Sequence, residues 1–278
     1  MEEQRHNYEY DVDMDSASAP ANVLRLVGFK KNVLEVGCGP GSITKNMAKG
    51  LECKVTGLEI DPDAIRRVAP YCDRIFRADL NSPDWPSLLE PGEQFDVVVA
   101  ADVLEHLYDP WETLKRMASF ISKDGYAVIS LPHAGHAAVM SCLAAGDFQY
   151  RDWGLLDKTH IRFFCLKNME ELFAKAGLKI IEAKYVTALP EATEFADGWN
   201  RLPRSLRREM SKISHSHIYQ VVIKAVPVQH SAQAIPLLPP AKSISIKVSA
   251  LRVKIGALMG ERLRSRVHAF LNRLGIKI

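Results

Sequence analysis

Short apolar runs alternate along this chain with segments whose apolar residues recur at helical spacing. The runs at 32–36 and 95–101 are mainly apolar, which is typical of strands buried on both faces. The same pattern predicts further strands at 54–60, 73–77, 126–131, 178–185 and 218–226, and helices at 21–27, 42–49, 62–69, 110–120 and 166–176. Alternating strands and helices predict a parallel sheet with helices on both faces.

Proline and glycine mark several element ends. Pro62 and Pro110 stand where a first helical turn tolerates a missing N–H, and Gly28 and Gly177 follow the last apolar residue of a helical pattern. We predict a lead-in segment with a short helix at 1–29, a main domain at 30–226, a Pro/Ala-rich linker at 227–243 and a basic amphipathic tail at 244–278.

Charge and cysteine content narrow the class of protein. The net charge is +3, but the last 52 residues hold nine Lys or Arg and one acid, so residues 1–226 carry a net −5. The main domain therefore shows no charge pattern of nucleic-acid binding. Five cysteines without a C-x-x-C pair, an N-terminus without an apolar signal region and no apolar run of about 20 residues predict a cytoplasmic protein.

A glycine-rich turn follows the first predicted strand. Gly37, Gly39 and Gly41 open a predicted helix, and Glu59 ends the next strand about 20 residues later. Glycine lets the backbone approach a ligand closely, and an acid at this distance is placed to accept from a ribose hydroxyl. The two features together predict a site for a nucleotide-like ligand.

Nicotinamide dehydrogenases use similar geometry. Their fingerprint is G-x-G-x-x-G, in which the last glycine allows close helix packing. The spacing here is G-x-G-x-G with Ser42 following, which disfavours an oxidoreductase.

Two further runs, RADL at 77–80 and FDVVVAADVLEHL at 95–107, complete a resemblance to class I S-adenosylmethionine-dependent methyltransferases over about residues 30–226. The resemblance implies a Rossmann-like α/β fold: a seven-stranded sheet, mostly parallel, whose last strand is antiparallel. It also implies S-adenosyl-L-methionine as cofactor, with the glycine motif around the methionine part, Glu59 on the ribose and Asp79 on the adenine. The implied cofactor-binding residues are Glu35, Gly37, Gly39, Gly41, Glu59, Ile60, Asp79, Leu80 and Asp102.

A narrower resemblance lies further along the chain. The turn at 131–136 and the segment GLLDKTHIRFF at 154–164 look like a bacterial subgroup found beside glycan and glycosyl-transfer functions, in which Asn is commoner at the position of His133. This implies methyl transfer to a small molecule or glycan, with oxygen as the expected acceptor atom.

Transfer to a hydroxyl requires alignment with the methyl group and removal of a proton, for which histidine is suited. His160 is the first candidate for this general base, followed by His136, His133 and His106, although each of these histidines can equally tie a loop to the core.

A divalent metal is an alternative at one position. Some related methyltransferases for quinols and RNA ends hold a metal through an E-x-x-E-H group and a later His, which Asp102, Glu105 and His106 resemble. Asp102 is shorter than the expected glutamate, so we predict no metal site here.

Partners and other functions stay open. The tail suits a homodimer contact, an anionic membrane surface or docking on its own domain, and no nucleic-acid partner is expected. A non-catalytic module that binds S-adenosylmethionine is the remaining alternative to an enzyme.

Overall fold

A computed structural model describes residues 10–237. Its sheet has seven strands: β1 (Asn32–Val36), β2 (Lys54–Glu59), β3 (Arg74–Arg77), β4 (Phe95–Ala101), β5 (Ile121–Pro132), β6 (Leu178–Thr187) and β7 (Ile218–Pro227). All seven predicted strands are confirmed. The start of β5 is the largest difference, because Ile121 already pairs with Phe95 of β4, and extra residues of β5 follow before Tyr126 pairs with Val97.

Eight helices cover the described part of the chain: α1 (Ala19–Val27), α2 (Thr44–Gly50), α3 (Pro62–Val68), α4 (Pro110–Ser119), α5 (Ala137–Ala144), α6 (Leu166–Lys175), α7 (Ala196–Arg201) and α8 (Arg204–Met210). The predicted helix starts at Pro62 and Pro110 are confirmed. In each, the preceding aspartate, Asp61 or Asp109, caps the helix by accepting a backbone N–H 3.0 Å away.

Three helices were not predicted. Helix α5 is apolar on every side, so its sequence lacks a helical period, and most of its residues are buried. Helices α7 and α8 lie in a segment, 190–217, whose sequence is mainly polar. The side chains that anchor this segment, Phe195 and Trp199, are too few to produce a periodic pattern.

The strand order is β3-β2-β1-β4-β5-β7-β6. Strands β1 to β5 pair in parallel, whereas β7 runs antiparallel to both of its neighbours, β5 and β6. The predicted Rossmann-like sheet, mostly parallel with an antiparallel last strand, is therefore confirmed. The chain reverses its direction of winding between β1 and β4, and in such sheets a ligand crevice forms at that point.

Both faces of the sheet are buried. On one face, strand residues such as Leu34 and Val98 pack with α4 and α6, and on the other, Val33 and Val97 pack with α1 and α2. Burial on both faces explains why β1 and β4 are mainly apolar.

The first part of the predicted linker lies along the sheet edge. The Ile235 N–H donates to the Ile180 carbonyl (2.8 Å), and the buried Leu237 donates its N–H to Glu170 Oε1 (2.6 Å). The predicted tail at 244–278 and the first nine residues lie outside the described residues. Between residues 10 and 237, no helix combines the length and apolar character needed to cross a bilayer.

Candidate active site

A cavity of about 1590 Å³ opens where β1, β2 and β4 end, at the reversal point of the sheet. Typical small-molecule sites measure about 300–1,000 Å³, so this one has room for two molecules side by side. We call its two parts the glycine end, formed by Gly37, Gly39 and Glu59, and the histidine end, formed by Glu105, His106 and His160.

The glycine end is built on a turn that requires glycine. Gly37, Gly39 and Gly41 have φ angles of +74°, +53° and +96°, which side chains with a Cβ rarely adopt. A Cβ on Gly37 would lie 2.7 Å from Val103 Cγ2, whereas one on Gly39 would meet nothing within 4 Å. Gly39 therefore faces open cavity, as a ligand-binding backbone must. Gly41 does not line the cavity and instead packs against Val68.

Glu59 ties this turn to the end of β2. One of its carboxylate oxygens accepts from the Gly39 N–H (2.7 Å), and the other accepts from the Ile60 and Asp61 N–H groups (2.8 and 2.9 Å). A carboxylate offers about four lone-pair sites, so a ligand hydroxyl can still donate to it. Glu59 and Ile60 both line the cavity.

Glu35 lies at the bottom of the glycine end. It is 3% exposed, and its Oε2 accepts from Thr44 Oγ1 at 2.6 Å. Burial raises the pKa of Glu35 to about 8, outweighing the hydroxyl bond, so this carboxyl group is mainly protonated at neutral pH.

The loop after β3 differs in part from the prediction. Leu80 lines the cavity with Ala78 and Asn81, but Asp79 does not. The Asp79 carboxylate accepts from the Asn81 N–H (2.9 Å). The structure thus gives Asp79 the role of shaping the loop that forms this wall.

Asp102 lies between the two ends of the cavity. Its φ of +56° is a left-handed conformation that Asp tolerates better than most residues. Its Oδ1 accepts from Ser130 Oγ (2.7 Å) and from the Gln220 amide, which belongs to β7. Asp102 is exposed to the cavity, and desolvation by the surrounding protein raises its pKa.

The histidine end unites Glu105 and His106, just after β4, with His160 from a distant loop. A possible ligand atom of each lies within 4.8 Å of the others, and the two imidazole rings meet edge-on with centroids 4.7 Å apart. Glu105 is fully buried, and neither of its carboxylate oxygens finds a hydrogen-bond partner among residues 10–237. Its Oε1 lies 3.9 Å from His160 Nε2.

Backbone carbonyls orient both imidazoles. His106 Nδ1 lies 3.2 Å from the Thr159 carbonyl, and His160 Nδ1 lies 3.4 Å from the Leu155 carbonyl. A carbonyl only accepts, so each Nδ1 carries the proton and each Nε2 keeps a free lone pair. An imidazole held in this form can accept a proton or bind a metal ion.

Burial sets the protonation of this cluster. It lowers the pKa of His160 to about 4, with help from neighbouring His106, and it lowers the pKa of His106 as well. It raises the pKa of Glu105 well above its ordinary value. Both histidines are therefore neutral at pH 7, the form that a general base requires.

The other two histidine candidates lie outside the cavity. His136 is fully buried and caps α5: its Nδ1 accepts from the Ala138 N–H (3.1 Å), and its Nε2 donates to the Ala188 carbonyl (2.9 Å). His133 donates from Nδ1 to the Ile218 carbonyl (3.0 Å). Because both ring nitrogens of His136 are engaged away from the cavity, the structure corrects our prediction of a catalytic role to a structural one.

Several cavity residues were not predicted. Tyr10, Tyr219 and Gln220 line the cavity, and Ser130 holds Asp102. Tyr219 and Gln220 are neighbours in β7, and the sequence of this strand contains no motif that marks a functional site. Only the antiparallel pairing of β7 with β5 brings them to this site.

Fold and site together define a class: a Rossmann-like α/β protein that binds a nucleotide-like ligand at the glycine turn. A family model described as a methyltransferase domain matches residues 8–183, more than half of the sequence. The chain therefore belongs to the methyltransferase domain family and is an S-adenosylmethionine-dependent methyltransferase.

Two similar proteins, both of low sequence identity to this chain, are also methyltransferases by name. The ubiquinone biosynthesis O-methyltransferase of Cereibacter sphaeroides strain KD131 is 28% identical over 179 residues, which cover 63% of this chain and 68% of that protein. The protein of the same name from Shewanella halifaxensis is 24% identical over 164 residues, which cover 58% of this chain and 69% of that protein.

Two solved structures share the fold. The [4+2]-cyclase SpnF has a TM-score of 0.52 at 16% identity, over 79% of this chain and 86% of its own. The magnesium protoporphyrin IX methyltransferase of Synechocystis PCC 6803, with bound SAH, has a TM-score of 0.50 at 15% identity, over 74% of this chain and 80% of its own. Since one is a cyclase, the fold by itself does not identify the reaction.

Proposed function

We propose that this enzyme transfers the methyl group of S-adenosylmethionine to a hydroxyl oxygen of a small molecule or glycan, with His160 as general base. The observation that carries this proposal is the neutral imidazole of His160 beside Glu105 and His106, in the same cavity as the glycine turn. Two similar proteins named O-methyltransferases support oxygen as the acceptor atom.

The glycine end fits the cofactor. Gly39 leaves open space where a side chain would stand, and Glu59 keeps room for a hydroxyl donor, as a methionine part and a ribose would need. Leu80 and Ala78 supply an apolar wall for the adenine. When bound, S-adenosylmethionine supplies a methyl group on a positively charged sulfur.

The histidine end supplies the second half of the reaction. With S-adenosylmethionine bound, the acceptor oxygen would form a bond to the methyl carbon as the carbon–sulfur bond breaks, and the sulfur would leave as a neutral thioether. The hydroxyl proton passes to Nε2 of His160, whose other nitrogen is held by the Leu155 carbonyl. A positioned base of this kind contributes roughly 10²- to 10⁴-fold in rate.

The class of acceptor rests on the narrower resemblance of residues 154–164, which carry His160, to glycan-associated methyltransferases. The cavity volume leaves space for an acceptor beside the cofactor. The exposed ring of Trp153 at the rim offers a flat apolar surface for a sugar or an aromatic ring.

A second candidate is methyl transfer assisted by a divalent cation, and the buried, unpaired carboxylate oxygens of Glu105 favour it. Glu105, His106 and His160 form a donor set of the right kind, one carboxylate and two imidazoles. A divalent cation held by these residues would lower the pKa of an acceptor hydroxyl.

The first experiment measures product formation by the full chain with S-adenosylmethionine. Phenols, catechols and sugars are compared with amines of matched shape, and we expect transfer to hydroxyls only. His160→Ala should lower kcat about 10²- to 10⁴-fold while calorimetry shows an unchanged cofactor Kd. Cofactor binding without turnover on any acceptor would instead identify a non-catalytic module.

Chelation separates the two candidates. If His160 acts alone, kcat is unchanged after EDTA treatment, and native mass spectrometry of the untreated protein shows no bound metal. If a cation takes part, EDTA abolishes turnover and added Mg²⁺ or Zn²⁺ restores it.

A further inference from the structure

Glu194 joins three distant parts of the chain. Its Oε1 accepts from the Leu155 N–H at 2.8 Å and from the Tyr219 hydroxyl at 3.0 Å, while Oε2 lies 3.1 Å from the same hydroxyl. Leu155 belongs to the loop that carries His160, and Tyr219 belongs to β7. The carboxylate raises the pKa of Tyr219 further, after burial, so this hydroxyl stays protonated and donates.

The neighbour of Glu194 keeps it in place. Phe195 is fully buried in a cluster with Leu155, Leu156 and residues of α5. The donor Leu155 and the neighbour of the acceptor, Phe195, are therefore packed in the same cluster. This packing gives the Glu194 carboxylate a defined position.

Gly154 shows how close the carboxylate comes to the loop. Its φ is +90°, and a Cβ built on it would lie 2.1 Å from Glu194 Oε1, far inside any allowed contact. A side chain at this position would displace the carboxylate. The glycine at the head of the GLLD segment is therefore required both by the backbone and by Glu194.

Leu155 connects Glu194 to the proposed base, His160. Leu155 receives Glu194 on its N–H side, and its carbonyl faces Nδ1 of His160 at 3.4 Å. The loop is closed by hydrogen bonds from the Arg151 N–H to the Leu156 carbonyl (2.9 Å) and from the Lys158 N–H to the Arg151 carbonyl (2.8 Å). A shift of Leu155 would move the acceptor that fixes the imidazole of His160.

We propose that Glu194 is a positioning residue, which holds Leu155 so that its carbonyl keeps His160 in the Nδ1–H form with Nε2 directed toward Glu105 and the cavity. Glu194 lines no part of the cavity and touches no reacting atom. This inference rests on the proposed function only for its effect on the rate of methyl transfer. The orientation and tautomer of the His160 imidazole can be measured without turnover.

Three variants of Glu194 test the geometry. Glu194→Ala and Glu194→Asp should each lower kcat about 10- to 100-fold with the cofactor Kd within twofold of the wild type, since neither side chain reaches Leu155. Glu194→Gln should keep kcat within about threefold, because its carbonyl oxygen still accepts the Leu155 N–H. Loss of activity in the Asp variant with retention in the Gln variant assigns the effect to reach and not to charge.

Glu191→Ala is the matched control. Glu191 lies in the same segment and accepts from Trp199 Nε1 at 2.7 Å, so its loss loosens the segment without touching Leu155. We expect kcat within about threefold of the wild type. An equal loss of kcat in the Glu191 and Glu194 variants would show that the segment has only a structural effect, and would overturn the proposal.

Nitrogen-15 NMR of histidine-labelled, EDTA-treated protein at pH 7.5 gives a readout without turnover. His160 signals are assigned by their loss in His160→Ala. We expect the Nδ1–H form in the wild type and in Glu194→Gln, and a mixture of forms in Glu194→Ala. An unchanged His160 signal in Glu194→Ala would refute the positioning role. A changed signal, together with full activity of His160→Ala, would support positioning and refute the base role instead.

Discussion

The glycine end of the cavity comes from one short stretch of chain, whereas the histidine end is assembled from distant segments. Glu59 reaches Gly39, 20 residues away, through two successive strand-turn-helix units. By contrast, His106 meets the loop of His160 across 53 residues, and Asp102 meets Gln220 across 118. Local sequence can specify the first arrangement, but the second exists only once the sheet has formed.

The comparison predicts different consequences of mutation. Substitutions at the glycine end should change stability and cofactor affinity together, because the backbone itself is the binding surface. Substitutions at the histidine end should change turnover while affinity stays constant.

Gly37→Ala should give the largest change. A left-handed φ costs an L-residue about 1–2 kcal/mol, and the contact with Val103 adds about 1–3 kcal/mol of overpacking. We expect a loss of about 2–5 kcal/mol in the free energy of unfolding, measured by urea denaturation.

Gly39→Ala is the matched control for this prediction. It has the same kind of φ but open space around the built Cβ, so the strain of about 1–2 kcal/mol acts alone. Its main effect should be weaker cofactor binding. Equal destabilisation by both variants would contradict the assignment of the Val103 contact.

Glu59→Ala should come next. It leaves three backbone N–H groups of the turn without their acceptor and removes the hydroxyl partner. We expect the Kd for S-adenosylmethionine to rise about 100-fold, or about 2.7 kcal/mol, in calorimetry.

Asp79→Asn tests whether Asp79 contacts the cofactor. The family resemblance implies a contact with the adenine, whereas Asp79 does not line the cavity in the structure. The side chain lies outside the cavity and its amide oxygen can still accept from Asn81 N–H. The Kd should therefore stay within about threefold of the wild type by the same measurement. A rise as large as that of Glu59→Ala would place Asp79 on the cofactor after all.

Another effect concerns pH, through His133. Burial lowers the pKa of His133 from 6.5 to about 4, so the unfolded chain binds the proton more readily than the folded protein does. Stability from this group is complete above pH 6.5 and is lost as the pH falls toward 4. His133→Asn should reduce the loss of unfolding free energy between pH 7 and pH 5 by about 1–2 kcal/mol.

This pH prediction is checked by urea denaturation at both pH values. The absolute stability of the variant is not informative, because Asn also changes packing. Equal differences between pH 7 and pH 5 in the wild type and in His133→Asn would contradict it.

Sequence reasoning succeeded where a local pattern has a physical cause. Apolar runs gave the seven strands, and proline with a preceding aspartate gave the starts of α3 and α4. It failed at α5, where apolar residues on every side leave no helical period. It also did not foresee that the Asp79 carboxylate accepts from the Asn81 N–H.

Histidine candidates show the same limit in the site. The sequence beside His160 and His136 does not separate their roles, yet one histidine lines the cavity and the other caps a helix. Glu194 had no signal at all, because its partners Leu155 and Tyr219 lie 39 and 25 residues away.

The sequence by itself determined, among the described residues, the seven strands, five of the eight α-helices, the glycine turn and the acid that closes it, because each depends on residues within about two neighbouring elements. Tertiary structure alone decided which histidines line the cavity and why the buried carboxylate of Glu105 has no hydrogen-bond partner among the described residues. It also decided the contact between Glu194 and the loop that carries His160. Those contacts depend on the antiparallel pairing of β7 with β5 and on the packing of residues 190–201. Residues next to each other in the sequence do not show which distant side chains will meet, because that depends on how the elements pack.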